Sequence, residues 1–135
     1  MLQFAMDISI ITVVVILWAH FIGDFILQSD YHAVNKSKSN LALFEHVLYY
    51  SLPLTLMGFL IPVSISWIIA NAVMHAAVDY VTSRITSRLW LAGKRHWFFV
   101  TIGADQSLHF TCMFVSYLWL VNYKLVDTLL EIVYN

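Results

Sequence analysis

Charged residues are scarce in this 135-residue sequence, which contains seven Lys and Arg and eight Asp and Glu residues. They make up 11% of the chain, which is about half the fraction usual in globular domains. Hydrophobic residues make up 61%, and the mean hydropathy is +0.77. This composition predicts an integral membrane protein. The formal net charge of −1 gives no indication of nucleic-acid binding, and we expect no nucleic-acid partner.

Cysteine, proline and glycine are also rare, with one, two and four residues. The single Cys112 excludes an intrachain disulfide. The shortage of helix-breaking residues favours an all-α chain. We predict one domain, an integral membrane four-helix bundle, whose apolar stretches approach the ~20 residues that a bilayer-spanning helix needs. The predicted spans are about 8–27, 41–61, 65–82 and 97–121, followed by an amphipathic extension at 122–135.

Basic residues are concentrated in two connectors, between the first and second spans and between the third and fourth. The positive-inside rule places both connectors in the cytoplasm and both chain termini on the non-cytoplasmic side. We interpret Asp30, His32, Lys36 and Lys38 as solvated residues of the first connector. The second connector contains Arg84, Arg88, Lys94 and Arg95. The positive-inside rule is enough to explain these four basic residues. As an alternative, they bind an anionic lipid headgroup or phosphate.

Each predicted span contains a histidine, and in three spans an aspartate lies four residues away. That spacing places both side chains on one helix face. The residues are His20 and Asp24, His46, His75 and Asp79, and Asp105 and His109. Counted from the predicted cytoplasmic ends, all seven lie at a similar depth. Ionisable residues inside membrane helices are costly and mark functional sites by default.

Buried carboxylates must be protonated, paired or bound to metal, and no Lys or Arg lies within the spans to pair them. Imidazole and carboxylate groups together suit zinc, with manganese or iron as alternatives. We predict one or two divalent ions held by all seven residues, with Asp24 and Asp105 as candidate catalytic carboxylates. Two alternatives are open: histidines that only pack, and a metal-free hydrogen-bonded layer between the helices.

Five further polar residues lie near this layer, and we predict that they support it by hydrogen bonds: Gln28, Glu45, Tyr50, Asn71 and Gln106. For Glu45, stabilisation of the helix N-terminus is the favoured alternative. For Gln28, an anchoring position at the membrane interface is an equally open alternative.

Taken together, these motifs resemble a family of small bacterial and phage membrane proteins of unknown function. The motifs are His20-x3-Asp24-Phe25-x2-Gln28, Asn35-Lys36-x-Lys38, His46-x3-Tyr50, His75-x3-Asp79 and Asp105-Gln106-x2-His109. More distantly, the chain is similar to YdjM-type inner-membrane proteins described as metal-dependent hydrolases. The resemblance implies a multi-pass protein of the bacterial inner membrane, of phage or prophage origin.

We therefore expect a membrane-embedded metal-dependent hydrolase that acts on a lipid or lipid-linked phosphate from the cytoplasmic leaflet. A divalent ion lowers the pKa of water and polarises a phosphoryl or carbonyl group. Two other functions are open: a metal-stabilised, non-enzymatic regulator of a host membrane target, and a metal or proton transporter. Membrane lipids are the expected partners, with a homo-oligomer or a host membrane protein as alternatives.

Overall fold

The computed structural model describes residues 10–122, which form helices joined by short turns. The helices are α1 (Ile10–Phe21), α2 (Asp30–Asn35), α3 (Asn40–Leu56), α4 (Ile65–Leu91) and α5 (Arg95–Tyr117). α1 continues into a π turn (Ile22–Ile26), α3 into a 3-10 turn (Met57–Phe59) and α5 into a π turn (Leu118–Asn122). The prediction of an all-α chain is confirmed for these residues. The predicted amphipathic extension lies, apart from residue 122, outside them.

Serine side chains begin three of the helices. The hydroxyls of Ser29, Ser39 and Ser64 accept hydrogen bonds from backbone N–H groups of α2, α3 and α4, respectively. Serine is preferred at this position because it satisfies an N–H that has no partner within the helix. α4 ends at a tight turn in which Gly93 has a φ of 68°, a conformation that favours glycine. These local signals determine where the chain reverses direction.

The four long helices α1, α3, α4 and α5 pack as a bundle, and the short helix α2 packs against α3. One half of the bundle interior is apolar, and the indole N–H of Trp67 donates to the carbonyl of Met113 across the α4–α5 contact. The most deeply buried members of this core are Ile16, Tyr50, Leu54, Met57, Trp67, Met113 and Tyr117. The polar cluster described below lies on the other side of Tyr50, which contacts both.

The prediction of a four-span protein of the bacterial inner membrane is wrong. Within residues 10–122, no helix combines the length and the apolar character needed to cross a membrane. In the part of the chain that the structure describes, α1 and α3 contain 12 and 17 residues, fewer than the ~20 that a span needs. α4 and α5 are longer, but they contain many of the polar residues that form the candidate site. The cytoplasmic position predicted for the connectors and the non-cytoplasmic position predicted for the termini followed from those spans. Without the spans, neither position is supported.

The bundle core contains only part of the apolar content of the chain. Large apolar side chains are also exposed on the outer faces of all four long helices, among them Trp18, Phe44, Ile69 and Phe99. The composition that suggested membrane spans therefore reflects both a core and an apolar exterior. It does not by itself indicate helix length.

Candidate metal centre

Four histidines, one from each long helix, meet inside the bundle. They are His20, His46, His75 and His109, and none is more than 2% exposed. The ring of His75 stacks between those of Tyr50 and His109, with centroids 3.7 and 4.2 Å away. The structure thus brings together all four histidines that the sequence pattern singled out.

Asp24 reaches this cluster from the π turn that follows α1. Its neighbour Gly23 packs against α3, and a Cβ at Gly23 would lie 2.8 Å from the carbonyl oxygen of Tyr50. Glycine permits this close approach of two backbones. A π turn also shifts the following side chains out of regular helical register, and such turns are frequent at functional sites. Here the turn brings Oδ1 of Asp24 to 3.1 Å from Nε2 of His46.

The ligand atoms of Asp24, His46, His75 and Asp79 all lie within 4.8 Å of one another. Nε2 of His46 lies 3.1 Å from Oδ1 of Asp24, 3.1 Å from Nε2 of His75 and 3.2 Å from Oδ2 of Asp79. Nε2 of His75 lies 3.6 Å from the same Asp24 oxygen and 3.5 Å from the same Asp79 oxygen. Four ligands about 2.1 Å from a tetrahedral ion are spaced about 3.4 Å apart. The five distances therefore fit five of the six edges of one tetrahedron. We use the name four-atom set for Oδ1 of Asp24, Nε2 of His46, Nε2 of His75 and Oδ2 of Asp79.

Hydrogen bonding alone does not account for the contacts of His46. Its Nε2 has at most one proton, yet it faces two carboxylate oxygens and another imidazole nitrogen. Ligand atoms this close together could hold a metal ion. The Nδ1 atoms of His46 and His75 have no hydrogen-bond partner among residues 10–122. This differs from most metal sites, where that second nitrogen donates to the protein.

A second group with ligand geometry consists of Asp24, Asp105 and His109. Oδ1 of Asp105 lies 3.4 Å from Nε2 of His109 and accepts a hydrogen bond from the hydroxyl of Thr82. Asp24 belongs to both groups, so the two share one carboxylate. The residues could hold one ion in the four-atom set, or two ions with Asp24 between them.

Gln106 connects the carboxylates to His20. Its side-chain amide donates to Oδ2 of Asp24 and to Oδ2 of Asp105, both at 3.0 Å. Its Oε1 lies 2.9 Å from Nε2 of His20 and accepts a hydrogen bond from it. His20 therefore lies beside the cluster but outside both ligand groups, with its Nε2 proton directed at Gln106.

The other predicted supporting residues divide between the cluster and its surroundings. Tyr50 contacts it through the stack on His75, and Gln28 lines the cleft described below. Asn71 lies one turn before His75 on α4 and instead donates to the hydroxyl of Ser116. Glu45 lies 3.3 Å from His32 on α2 and does not reach the four-atom set.

Two residues of the first connector are not solvated as expected. Lys36, immediately after α2, has a side chain that is 15% exposed, and its Nζ lies 2.7 Å from Oδ2 of Asp79. His32 is 6% exposed and lies between Ser29 and Glu45. Sequence reasoning missed both because helical spacing gives no information about how a connector folds back. The available signals were the combination of a histidine and a lysine in a short polar stretch and the place of Lys36 in the motif Asn35-Lys36-x-Lys38.

A cleft of about 450 Å3 opens onto the cluster, and Asp24, Asp79 and Asp105 line it. Its apolar lining residues are Phe25, Ala33, Val34, Trp90, Leu91, Phe98 and Ile102. Its amine and hydroxyl lining residues are Lys36, Ser37, Lys38, Thr82, Ser83, Thr86 and Ser87. Two buried polar atoms of lining residues, Oε1 of Gln28 and Oγ of Ser83, have no hydrogen-bond partner in the described part of the chain. The cleft thus combines apolar walls with unsatisfied polar groups beside the cluster.

The four basic residues considered as phosphate ligands do not line this cleft: Arg84, Arg88, Lys94 and Arg95. Arg84 donates to Oδ1 of Asn40 and stacks on Tyr80. Arg95 donates to the carbonyl of Trp90 and stacks on its ring. Within the described residues, the amines nearest the cluster come from the other connector.

Burial and neighbouring charges shift the pKa values of the ionisable groups in the cluster. Burial alone would raise the pKa of Asp24, but the hydrogen bond to His46 and the nearby His75 and Lys36 hold it below its ordinary value. Burial lowers the pKa of His75 to about 3, so this imidazole is neutral at pH 7. Burial also acts to lower the pKa of His109, but Asp105 and Asp79 overcome it and raise the pKa to about 9. Neutral and charged imidazoles therefore lie side by side.

The metal-free protein is expected to lose stability as the pH rises from about 6.5 to 9. The pKa of His109 is higher in the folded state than its ordinary value of 6.5, so its contribution is present below pH 6.5 and lost as the pH rises through 9. The loss is about 3 kcal/mol, because the pKa shift from 6.5 to about 9 is worth about 1.4 kcal/mol per pKa unit. Denaturant unfolding at pH 6.5 and 9.5, with chelator present, measures it. A His109→Gln variant with the same pH dependence as the wild type would contradict this assignment.

The comparisons with known proteins leave the activity open but give a family. No curated protein and no solved structure matches the chain. A family model described as a protein of unknown function (DUF3307) matches residues 11–133, which include every residue of the cluster and the cleft. This agrees with the resemblance to a family of unknown function, whereas the similarity to YdjM-type hydrolases stays a prediction. The chain belongs to the DUF3307 family of proteins of unknown function.

Proposed function

We propose that the His/Asp cluster binds a divalent metal ion and that the protein is a metal-dependent hydrolase. The observation that carries the proposal is the four-atom set, with five interatomic distances between 3.1 and 3.6 Å. Two imidazole nitrogens and two carboxylate oxygens are ligands for zinc, manganese and iron. The second group, which shares Asp24, supports a two-ion variant of the same centre.

A bound divalent ion would act as a Lewis acid and make water more acidic at the floor of the cleft. The protein's own residues then have separate tasks. Asp24, His46, His75 and Asp79 hold the ion, and the stack of His75 between Tyr50 and His109 keeps its ring in place. Gln106 holds Asp24 and Asp105 in fixed orientations through its amide.

Asp105 is the best candidate for the general base. Its side chain is 13% exposed and lines the cleft, whereas those of Asp24 and Asp79 are at most 4% exposed. Hydrogen bonds from Thr82 and Gln106 orient the Asp105 carboxylate without covering it completely. A carboxylate that is oriented and accessible can take a proton from attacking water. Asp24, which belongs to both ligand groups, is better suited to holding metal.

The cleft lining favours an anionic substrate that also carries an apolar group. Lys36, Lys38 and Ser83 offer charge and hydrogen-bond donors beside the carboxylates. Trp90, Phe98 and the other apolar residues of the cleft would contact a hydrocarbon or aromatic group. A phosphate ester of an apolar alcohol combines both features, and we propose this substrate class.

One observation favours a second candidate, a non-enzymatic protein in which the cluster only holds the helices together. Lys36 and His109 already compensate charge on Asp79 and Asp105, so the metal-free cluster is not strongly destabilised. Polar clusters of this kind can stabilise a unique helix arrangement without a ligand. The two candidates differ in metal content and in hydrolysis.

Elemental analysis of the purified protein, followed by hydrolysis assays with p-nitrophenyl phosphate and naphthyl phosphate, tests the proposal. We expect about one or two divalent ions per chain, because the two ligand groups share one carboxylate. Asp105→Asn should retain an ion in the four-atom set but lose about 100-fold or more in rate, the usual effect of removing a general base. Asp30→Asn, an exposed acid-to-amide change on α2, is the matched control.

Two results would decide against the proposal. A wild-type protein without stoichiometric metal, even after incubation with zinc, manganese and iron salts, would leave only the structural candidate. Metal binding without phosphate-ester hydrolysis, and with full thermal stabilisation by the ion, would support a metal-stabilised structural protein.

A further inference from the structure

Lys36 caps one face of the four-atom set. Its Nζ lies 2.7 Å from Oδ2 of Asp79, 3.4 Å from Nε2 of His46 and 3.8 Å from Oδ1 of Asp24. These are three of the four atoms that define the tetrahedron. Lys36 also lines the cleft, so the capped face is the one that opens toward it. The ammonium therefore lies between the proposed ion position and the space proposed for the substrate.

We infer that Lys36 competes with the metal ion for the cluster and, once the ion is bound, binds the anionic group of the substrate. This inference rests on the proposed function, and it adds Lys36 as a residue that favours anionic substrates. The ammonium group of Lys36 lies on the carboxylates in the metal-free protein and in the cleft once the ion is bound.

Competition follows from charge and from shared ligands. Oδ2 of Asp79 is both the closest partner of Nζ and a member of the four-atom set. An ion held by that oxygen and by Oδ1 of Asp24 would repel the ammonium and take over the charge that attracts it. At these distances, and with little solvent between the charges, such repulsion is strong. Metal binding therefore requires Nζ to move away from Asp79.

Nζ of Lys36 can move into the cleft. The lysine side chain rotates about four bonds, so the ammonium can move while the backbone after α2 stays in place. In the cleft it would lie near Lys38 and the hydroxyl of Ser83, which has no hydrogen-bond partner among residues 10–122. Two ammonium groups and a hydroxyl donor, next to a bound ion, suit a phosphate group. The same substrate oxygens would then approach the ion through the face that Lys36 vacates.

Titration of the metal-free protein with Mn²⁺ alone tests the first part. Lys36→Met, which keeps a long side chain and removes the charge, should bind Mn²⁺ about tenfold more tightly than the wild type, since a competing cation is gone. Lys94→Gln removes an exposed charge that neither lines the cleft nor contacts the carboxylates, and its Mn²⁺ affinity should stay within about twofold. Lys36→Arg keeps the charge and should resemble the wild type. Because Mn²⁺ would stabilise Lys36→Met, a variant that is weakly folded without metal still reports its affinity.

Titration of the Mn²⁺-loaded proteins with inorganic phosphate tests the second part. Lys36→Met should bind phosphate about tenfold more weakly, the usual size of one lost charge-assisted hydrogen bond, while Lys36→Arg retains most of the affinity. Unchanged Mn²⁺ affinity in Lys36→Met would overturn the competition, and unchanged phosphate affinity would overturn the substrate role. If the wild type binds Mn²⁺ but Lys36→Met shows unchanged Mn²⁺ affinity or unchanged phosphate affinity, the inference about Lys36 fails and the proposed metal site stands. If neither wild type nor Lys36→Met binds Mn²⁺, the proposed function fails with it.

Discussion

Replacement of Asp24 by asparagine is expected to weaken divalent-metal binding by at least about 100-fold, equivalent to about 2.7 kcal/mol. Asparagine keeps the shape of the side chain but removes its charge, and an amide oxygen is a poor ligand for zinc or iron. The effect should exceed that of any other single ligand change, because Asp24 belongs to both ligand groups. Competition against a metal-sensitive dye measures it, with exposed Asp30→Asn as the control.

Thermal stability gives an independent measure of the same change. An ion that binds only the folded state at 100 times its dissociation constant adds about 2.7 kcal/mol of stability. The wild-type melting temperature should therefore rise with added Zn²⁺ or Mn²⁺, and that of Asp24→Asn should change little. A wild-type-like rise in Asp24→Asn would show that ions bind elsewhere, and the four-atom set would lose its role.

Replacement of Gly23 by alanine is expected to destabilise the protein by about 2 kcal/mol, the usual cost of inserting a methyl group into a packed contact. The new Cβ would lie 2.8 Å from the carbonyl oxygen of Tyr50 and 3.1 Å from its Cα, both of which are backbone atoms of α3. The π turn would have to move away from α3, and Asp24 would move with it. We expect metal affinity to fall about tenfold as well, because a displaced ligand lengthens at least one metal contact.

Gly103→Ala is the matched control. Gly103 lies in α5, and a Cβ there would have no described atom within 4 Å apart from its chain neighbours and the helix's own backbone. Alanine should therefore stabilise this helix by roughly 0.5–1 kcal/mol, since glycine loses more backbone entropy on folding. Urea unfolding of both variants separates the two effects. Equal behaviour of the two alanine variants would refute the close contact between the π turn and α3.

The helical content and the main members of the site could be predicted from sequence because helix periodicity is a local property. His75 and Asp79 lie four residues apart, and one helical turn places them on the same face whatever the rest of the chain does. The same spacing identified His20 with Asp24 and Asp105 with His109. Repetition of the pattern in successive apolar stretches indicated that these faces meet.

The membrane prediction failed because composition does not determine helix length or register. Among the described residues, the first apolar stretch forms 12 residues of α-helix before its π turn, and the third belongs to a 27-residue helix that extends through Ser83, Arg84 and Arg88. The mean hydropathy of an apolar stretch does not specify the residue at which a helix begins or ends. The carboxylates need partners all the same, because Asp24 and Asp79 are buried in the protein.

The role of Lys36 could not be predicted, since it depends on how a connector folds back. Its side chain reaches Asp79 across 43 residues of sequence, after a short helix that begins at the Ser29 cap. In the same way, nothing in the sequence indicated that Arg84 and Arg95 would stack on nearby aromatic rings and leave the cleft to other amines.

The sequence alone determined that this protein is helical and that histidines and aspartates share helix faces, because both follow from residue type and spacing within single helices. The tertiary structure decided which of them converge. The packing of Gly23 against Tyr50 places Asp24 beside His46, the contact between α4 and α5 places Asp79 beside His109, and the fold of the connector places Lys36 on the four-atom set. These distances depend on contacts between residues far apart in the chain, which spacing along one helix does not specify.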